Sequence, residues 1–174
     1  MLKMKKKALL FLTVFLVVLG VVNVKATTVN AASWGAKKVF TTPKRTRGVW
    51  YHKEDGRVVR TKITAHAVNG IKLYKVLKGK EEVKWFKRLM VADKKADYKF
   101  ADKVSSSKLE AYTFKFHGVT GFNANGWLAG GGDGYYYVPV KRTVKGKKIN
   151  ALRVGEGAGN FFISYAYHNK KLVK

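Results

Sequence analysis

The chain contains no cysteine. Disulfides, thiolate nucleophiles and cysteine-ligated zinc are therefore excluded by composition, and so is the acylated cysteine of a lipoprotein. Proline is nearly as scarce, with two residues, and ten acidic side chains face 36 Lys and Arg. No apolar run reaches the roughly 20 residues that a membrane-spanning helix needs. The longest, residues 8–22, is broken by Thr13 and Gly20. What remains is a strongly basic chain, formal charge +26, in which 47% hydrophobic residues must supply a core without covalent staples.

Lys3, Lys5, Lys6 and Lys7 precede that apolar run, and the small residues Ala26, Ala31 and Ala32 follow it. Charge, short apolar stretch and small residue, in that order, predict a secretory signal peptide. Cleavage is expected after Ala31, with Val29 and Ala31 as the compact residues before the cut; the alternative, after Ala26, places Lys25 beside it. Loss of residues 1–31 removes five lysines and no acids, leaving +21 on residues 32–174. The expected location is extracellular. Residues 169–174 carry neither a hydrophobic tail nor a sorting motif, so any retention at the cell surface is expected to be non-covalent.

Residues 32–47 are basic and aperiodic and read as a flexible, exposed leader. From residue 48 to 174 the pattern is that of a single β-rich domain. Turn signals recur at Asp55-Gly56, Asn69-Gly70, Lys78-Gly79-Lys80, Asn125-Gly126, Asp133-Gly134, Lys145-Gly146-Lys147 and Gly155-Glu156-Gly157. Alternating segments lie between them: Val59, Thr61, Ile63, Ala65 and Ala67 on one face; Tyr112, Phe114 and Phe116; Phe161, Ile163, Tyr165 and Tyr167. Residues 83–91 fit a strand or a short helix, and their β-branched and aromatic content favours the strand. Residues 92–108 are open between one short helix and a loop. Pro139 implies an edge strand, a bulge or a strand end. The expected fold is mainly β, one antiparallel sheet system behind the signal helix, closed as a small up-and-down barrel or stacked as a β-sandwich.

Arg47-Gly48-Val49-Trp50-Tyr51, following Pro43, resembles the start of the mature domain in small, uncharacterised secreted proteins of lactic-acid bacteria, where Thr is usual in place of Val49. Leu152-Arg153-Val154 and Phe161-Phe162-Ile163-Ser164-Tyr165 resemble that family's closing segments. The same spacing is similar to the calycins (lipocalins, fatty-acid-binding proteins and avidin). That resemblance implies a calycin-like barrel in which Trp50 and Arg153 form a closing pair, with Arg153 packed across the indole. A small apolar ligand would then lie among Trp50, Tyr112, Phe114 and Phe116.

Candidate chemistry is sparse. The four histidines, His52, His66, His117 and His168, show no metal-ligand spacing. Asp133 and Glu156 sit among glycines, where turn chemistry accounts for them. The glycine run at 130–132 lacks the Lys-Ser/Thr of a phosphate loop, and no serine lies in a nucleophile elbow. No catalytic residue, metal or cofactor is expected. Charge is the main signal, densest at Lys37, Lys38, Lys44, Arg45 and Arg47 and again at Lys141, Arg142, Lys145, Lys147 and Lys148. The expectation is a non-enzymatic basic protein that associates electrostatically with anionic envelope polymers such as teichoic acid, or with an anionic lipid surface. A carrier of a small apolar ligand and a cationic antimicrobial protein are the alternatives; nucleic acid is not the expected partner of an exported chain.

Overall fold

A computed structural model describes residues 36–94, 103, 107–129 and 133–173; the expected signal peptide lies outside them. Four turns organise the strands. Asp55-Gly56, Asn69-Gly70, His117-Gly118 and Lys145-Gly146 all have positive φ at both residues, and each separates paired strand ends by two residues. That is the hairpin loop whose twist matches the strands it joins. They connect β1 (Gly48–Glu54) to β2 (Arg57–Ile63), β3 (Ala67–Val68) to β4 (Ile71–Lys75), β5 (Leu109–Phe116) to β6 (Val119–Gly126), and β7 (Tyr135–Val144) to β8 (Lys147–Glu156). A longer turn leads to β9 (Phe161–Ala166).

The nine strands form one sheet in chain order. The protein is mainly β, but the sheet is mixed rather than wholly antiparallel, because β4 and β5 run parallel. Two parallel neighbours need a crossover between them, and the chain supplies one beginning with helix α1, Lys80–Lys94. That helix replaces the strand expected at 83–91. Glu81 and Glu82 in its first turn suit the helix dipole, and Val83, Phe86 and Met90 recur at helical spacing. The hydrogen-bond ladder does not close on itself. Its end strands are linked by an isolated bridge in which Tyr51 and Tyr167 each donate N–H to the other's carbonyl, at 2.8 and 2.9 Å.

One face of the sheet holds the core: Trp50, Ile63, Leu73, Ala111, Phe122, Tyr137, Leu152 and Val154 are buried together. Residues 36–47, expected as a flexible leader, belong to this domain. Phe40 lies in the core at 5% exposure, its N–H donates to the Leu73 carbonyl at 3.0 Å, and Thr42 N–H donates to that of Ala65 at 2.9 Å. Ala36, Phe40, Thr42 and Thr46, all buried, are spaced four, two and four residues apart, an interrupted alternation that gives no clear strand pattern. A second apolar cluster, Ala36, Tyr74, Leu77 and Trp127, receives Trp85 of α1.

Trp50 is 1% exposed, and its indole N–H donates to the Thr46 carbonyl at 2.8 Å. Truncation of a buried aromatic costs about 3–5 kcal/mol. Trp50→Ala is expected to lose at least that much, because the Thr46 carbonyl also loses its donor; the denaturant midpoint at unchanged m-value measures it.

Candidate functional site: a basic hairpin and its neighbours

The β7–β8 hairpin runs past the core. Val138 and Leu152 are fully buried, whereas Lys141, Arg142, Lys145, Lys147 and Lys148 are exposed. Alternation assigns Lys141 and Lys148 to one face of the hairpin and Arg142 and Lys147 to the other, by the register Lys141↔Asn150, Arg142↔Ile149, Thr143↔Lys148 and Val144↔Lys147. Arg142 lies over the Tyr165 ring at 4.1 Å. No carboxylate comes within ion-pair distance of these five side chains among the described residues.

The fold brings part of the N-terminal basic cluster to the same region. Lys44 and Arg45 lie in a 3-10 turn, Lys44–Thr46. They line a groove of about 390 Å³ with Gly118, Val119, Thr120 and Pro139 of the sheet. Arg45 also shares a small cavity with Pro139, Val140 and Asn150, at the root of the hairpin. Lys115, opposite Thr120, adds an exposed cation that the sequence clusters omit. The other members of the N-terminal cluster do different work. Arg47 donates to the Thr42 hydroxyl and carbonyl, at 3.3 and 2.8 Å. Lys37 is 3.1 Å from the Glu81 carboxylate of α1, and the Lys38 carbonyl accepts from Lys75 N–H at 2.7 Å.

Trp50 and Arg153 do not pair. Arg153 lies between Leu152 and Val154, which join Trp50 in the core, so its side chain leaves the sheet on the opposite face. There the guanidinium stacks over Phe116 at 4.5 Å and Phe162 at 5.5 Å and donates to the Asn160 side chain and carbonyl at 2.7 and 2.9 Å. The partner of Trp50 is His168, stacked at 3.6 Å. Its Nδ1 lies 2.7 Å from the Val49 carbonyl, so it carries the proton. The expected ligand-lining set is divided in the same way. Tyr112, Phe114 and Phe116 alternate with core residue Ala111 and lie on the outer face, where Phe114 meets Tyr136 edge-on at 5.2 Å. They cannot line one cavity with Trp50.

The core face opens instead into a cavity of about 320 Å³, lined by His52, Glu54, Thr61, Val68, Leu109 and Tyr137 among others. His52 is 2% exposed, and its Nε2 lies 3.2 Å from a Glu54 oxygen. The other Glu54 oxygen accepts the Tyr135 hydroxyl at 2.6 Å, which with burial pushes the Tyr135 pKa up to about 12. Burial raises that of Tyr137 as well. A lone histidine gave no sequence signal for this grouping, since its partner Glu54 is simply the next residue on the same face. Asp133 and Glu156 do not join it: the Asp133 carbonyl accepts from Asn123 at 3.1 Å, and Glu156 ends β8. Among the described residues no three His, Asp or Glu side chains converge as a metal site would require.

Neither a family model, nor a curated protein, nor a solved structure matches the chain. The functional reading therefore rests on its own geometry.

One buried carboxyl lies elsewhere, at the start of β5. Glu110 is 4% exposed and accepts from Leu128 N–H at 3.4 Å. Burial, above all, raises its pKa, with hydrogen bonds from Leu128 and Asn125 acting the other way. The folded state thus holds this proton to higher pH than the unfolded chain. The associated stability is intact below the usual carboxylate range and is lost as pH rises through the raised folded value. Glu110→Gln cannot ionise, so its denaturation midpoint is expected to gain on that of the parent chain between about pH 4 and pH 7. An equal difference at both pH values would contradict this.

Proposed function

We propose that this is a secreted, non-enzymatic basic protein that binds an anionic phosphate polymer of the cell envelope, of the teichoic-acid kind, through the β7–β8 hairpin and the adjoining 44–45 turn. The observation that carries the reading is that Lys44 and Arg45, remote in sequence, lie against the root of the β7–β8 hairpin at Pro139, Val140 and Asn150, on the strands that carry the cations of 141–148. The cations of both segments are exposed and lack carboxylate partners among the described residues. A projecting hairpin with cations on both faces suits a flexible linear polyanion, which can wrap it without a preformed pocket. Release of condensed counterions drives such binding and makes it steeply salt-dependent. The test is binding of the purified protein to intact walls and to walls stripped of teichoic acid across a salt series. Binding is expected to vanish on stripping. Replacing Lys141, Lys145, Lys147 and Lys148 by Gln is expected to reduce the log–log salt slope by about three to four. Salt-insensitive binding, equal on both walls, defeats the proposal.

A second reading, a calycin-like carrier of a small apolar molecule, is favoured by the cavity beside His52, in a barrel that the parallel β4–β5 pair makes mixed and not strictly up-and-down. The cavity's volume of about 320 Å³ falls at the lower end of small-molecule sites, roughly 300–1,000 Å³. Consecutive strand order and the Tyr51–Tyr167 bridge support a barrel over a sandwich. On this reading native mass spectrometry of the protein from its producing cells finds a bound small molecule that Ala124→Trp, which fills the cavity, removes. A mass equal to that of the bare chain in both forms counts against it.

A further inference from the structure

Helix α1 presents a surface that neither reading uses. Trp85 anchors it to the second apolar cluster, and Arg88 lies over the Trp85 ring at 5.1 Å. Leu89 is half-buried, and four other apolar residues are turned outward. Val83, Phe86, Met90 and Val91 are 51, 50, 44 and 49% exposed. Scattered exposed apolar residues are ordinary, but a contiguous patch marks an interaction surface. These four are contiguous: their spacing of three, four and one residues keeps them on one side of the helix. All four line a single groove of about 710 Å³, together with Leu128 and Ala129 of the chain following β6, Glu82 and Lys87 of the helix itself, and the buried Glu110.

Charge identifies the occupant. Lys80, Lys84 and Lys87 are exposed on the same helix, and at 100° per residue Lys80 and Lys87 fall within the arc of the apolar stripe while Lys84 flanks one edge and Glu82 the other, so cations are in excess along it. Lysine stems can lie along apolar surface while the ammonium groups reach outward. A stripe of large apolar side chains interleaved with lysines matches the boundary of an anionic bilayer, where acyl chains lie a few ångströms beneath phosphates. A hydrated phosphate polymer has nothing apolar to offer Phe86 or Met90. The helix has 15 residues, short of the roughly 20 that span a bilayer, and among the described residues no helix is long and apolar enough to cross a membrane. It suits a position in the plane of the interface.

We propose that α1 is a membrane-docking element, which inserts Val83, Phe86, Met90 and Val91 beneath the headgroups of an anionic bilayer while Lys80, Lys84 and Lys87 contact the phosphates. The proposal does not rest on the polymer reading, since it uses different residues.

The experiment is co-sedimentation of the purified secreted protein with vesicles of phosphatidylglycerol and phosphatidylcholine, and with phosphatidylcholine alone. Both are run at low salt and at about 0.5 M salt, where surface charge is screened within a few ångströms. Binding to the anionic vesicles is expected to exceed that to phosphatidylcholine, and part of it to survive high salt because it is apolar. The double variant Phe86→Ser, Met90→Ser is expected to bind at least about tenfold more weakly, whereas the four-lysine hairpin variant keeps the salt-resistant part. A Phe86→Trp variant gives a second readout: its fluorescence is quenched by brominated acyl chains if the side chain inserts. Three results overturn the proposal: double-variant binding equal to that of the parent chain, no quenching of Phe86→Trp by brominated lipid, or a dimer in solution that the double variant converts to monomer, which assigns the stripe to a second copy of the chain. If the hairpin variant alone abolishes all vesicle binding, α1 is again excluded, and the polymer reading is untouched.

Discussion

The indole of Trp50 ties together three stretches that the sequence keeps apart. Its N–H is held by the Thr46 carbonyl in the turn before β1, its face by the His168 ring just beyond β9, and its body by the core of the sheet. His168 in turn donates to the Val49 carbonyl, so the start and the end of the domain are locked by reciprocal contacts around one side chain. Gly48 belongs to the same arrangement: a Cβ there would lie 2.8 Å from the His168 ring, and its φ of 130° is one that other residues rarely adopt. The Tyr51–Tyr167 bridge lies one residue from this junction on both sides and joins the same two ends of the sheet. The position of the 44–46 turn, and with it the approach of Lys44 and Arg45 to the hairpin, follows from the same Thr46–Trp50 bond.

Local chemistry made much of this legible. Asp55-Gly56 and Asn69-Gly70 are hairpin turns as their φ preferences favour, Lys145-Gly146 is one through its glycine, and the alternation of Tyr112, Phe114 and Phe116 is that of β5. The His117-Gly118 turn passed unnoticed because the sequence signal for a two-residue hairpin loop is an Asn or Asp before the glycine, although histidine also tolerates positive φ. Residues 83–91 were ambiguous for a physical reason. An exposed apolar stripe defeats the usual inference from periodicity, which assumes that apolar residues face a core. Arg153 misled through composition: in a chain with so many cations, sequence spacing alone could not identify the partner of Trp50, and the partner is an imidazole. Glu110 was indistinguishable from a surface acid, since burial beside Leu128 depends on a turn far along the chain.

A domain with this charge and no disulfide must limit its own repulsion, and the outer sheet face indicates one means. Arg153 lies between Phe116 and Phe162, Phe162 packs on Tyr165, and Tyr165 carries Arg142. Guanidinium groups on aromatic rings are partly compensated by the ring quadrupole and cover apolar surface at the same time. Arginine suits these places and lysine the exposed hairpin tip, where a compact, hydrated ammonium keeps its water; there Lys145 borders an open cavity shared with Glu54, Asp55 and Glu156. On this face the choice of cation thus follows location: Arg142 and Arg153 stack on aromatic rings, while the hairpin lysines are exposed.

That division bears on how a single small domain can present two unlike surfaces. The hairpin beyond Val140 places no residue in the core cluster, and only Val144 and Ile149, both half-buried on one face, are apolar among its strand residues, so charge at the other positions carries little folding cost. The outward stripe of α1 is the reverse case. Half-exposed Phe86 and Met90 contribute little burial energy to the isolated domain, while Trp85, on the opposite side, already secures the helix to Tyr74, Leu77 and Trp127. Polar residues in the outward positions would therefore fold equally well. The apolar side chains at Val83, Phe86, Met90 and Val91 are not demanded by the fold, and a physical account of them must lie outside it.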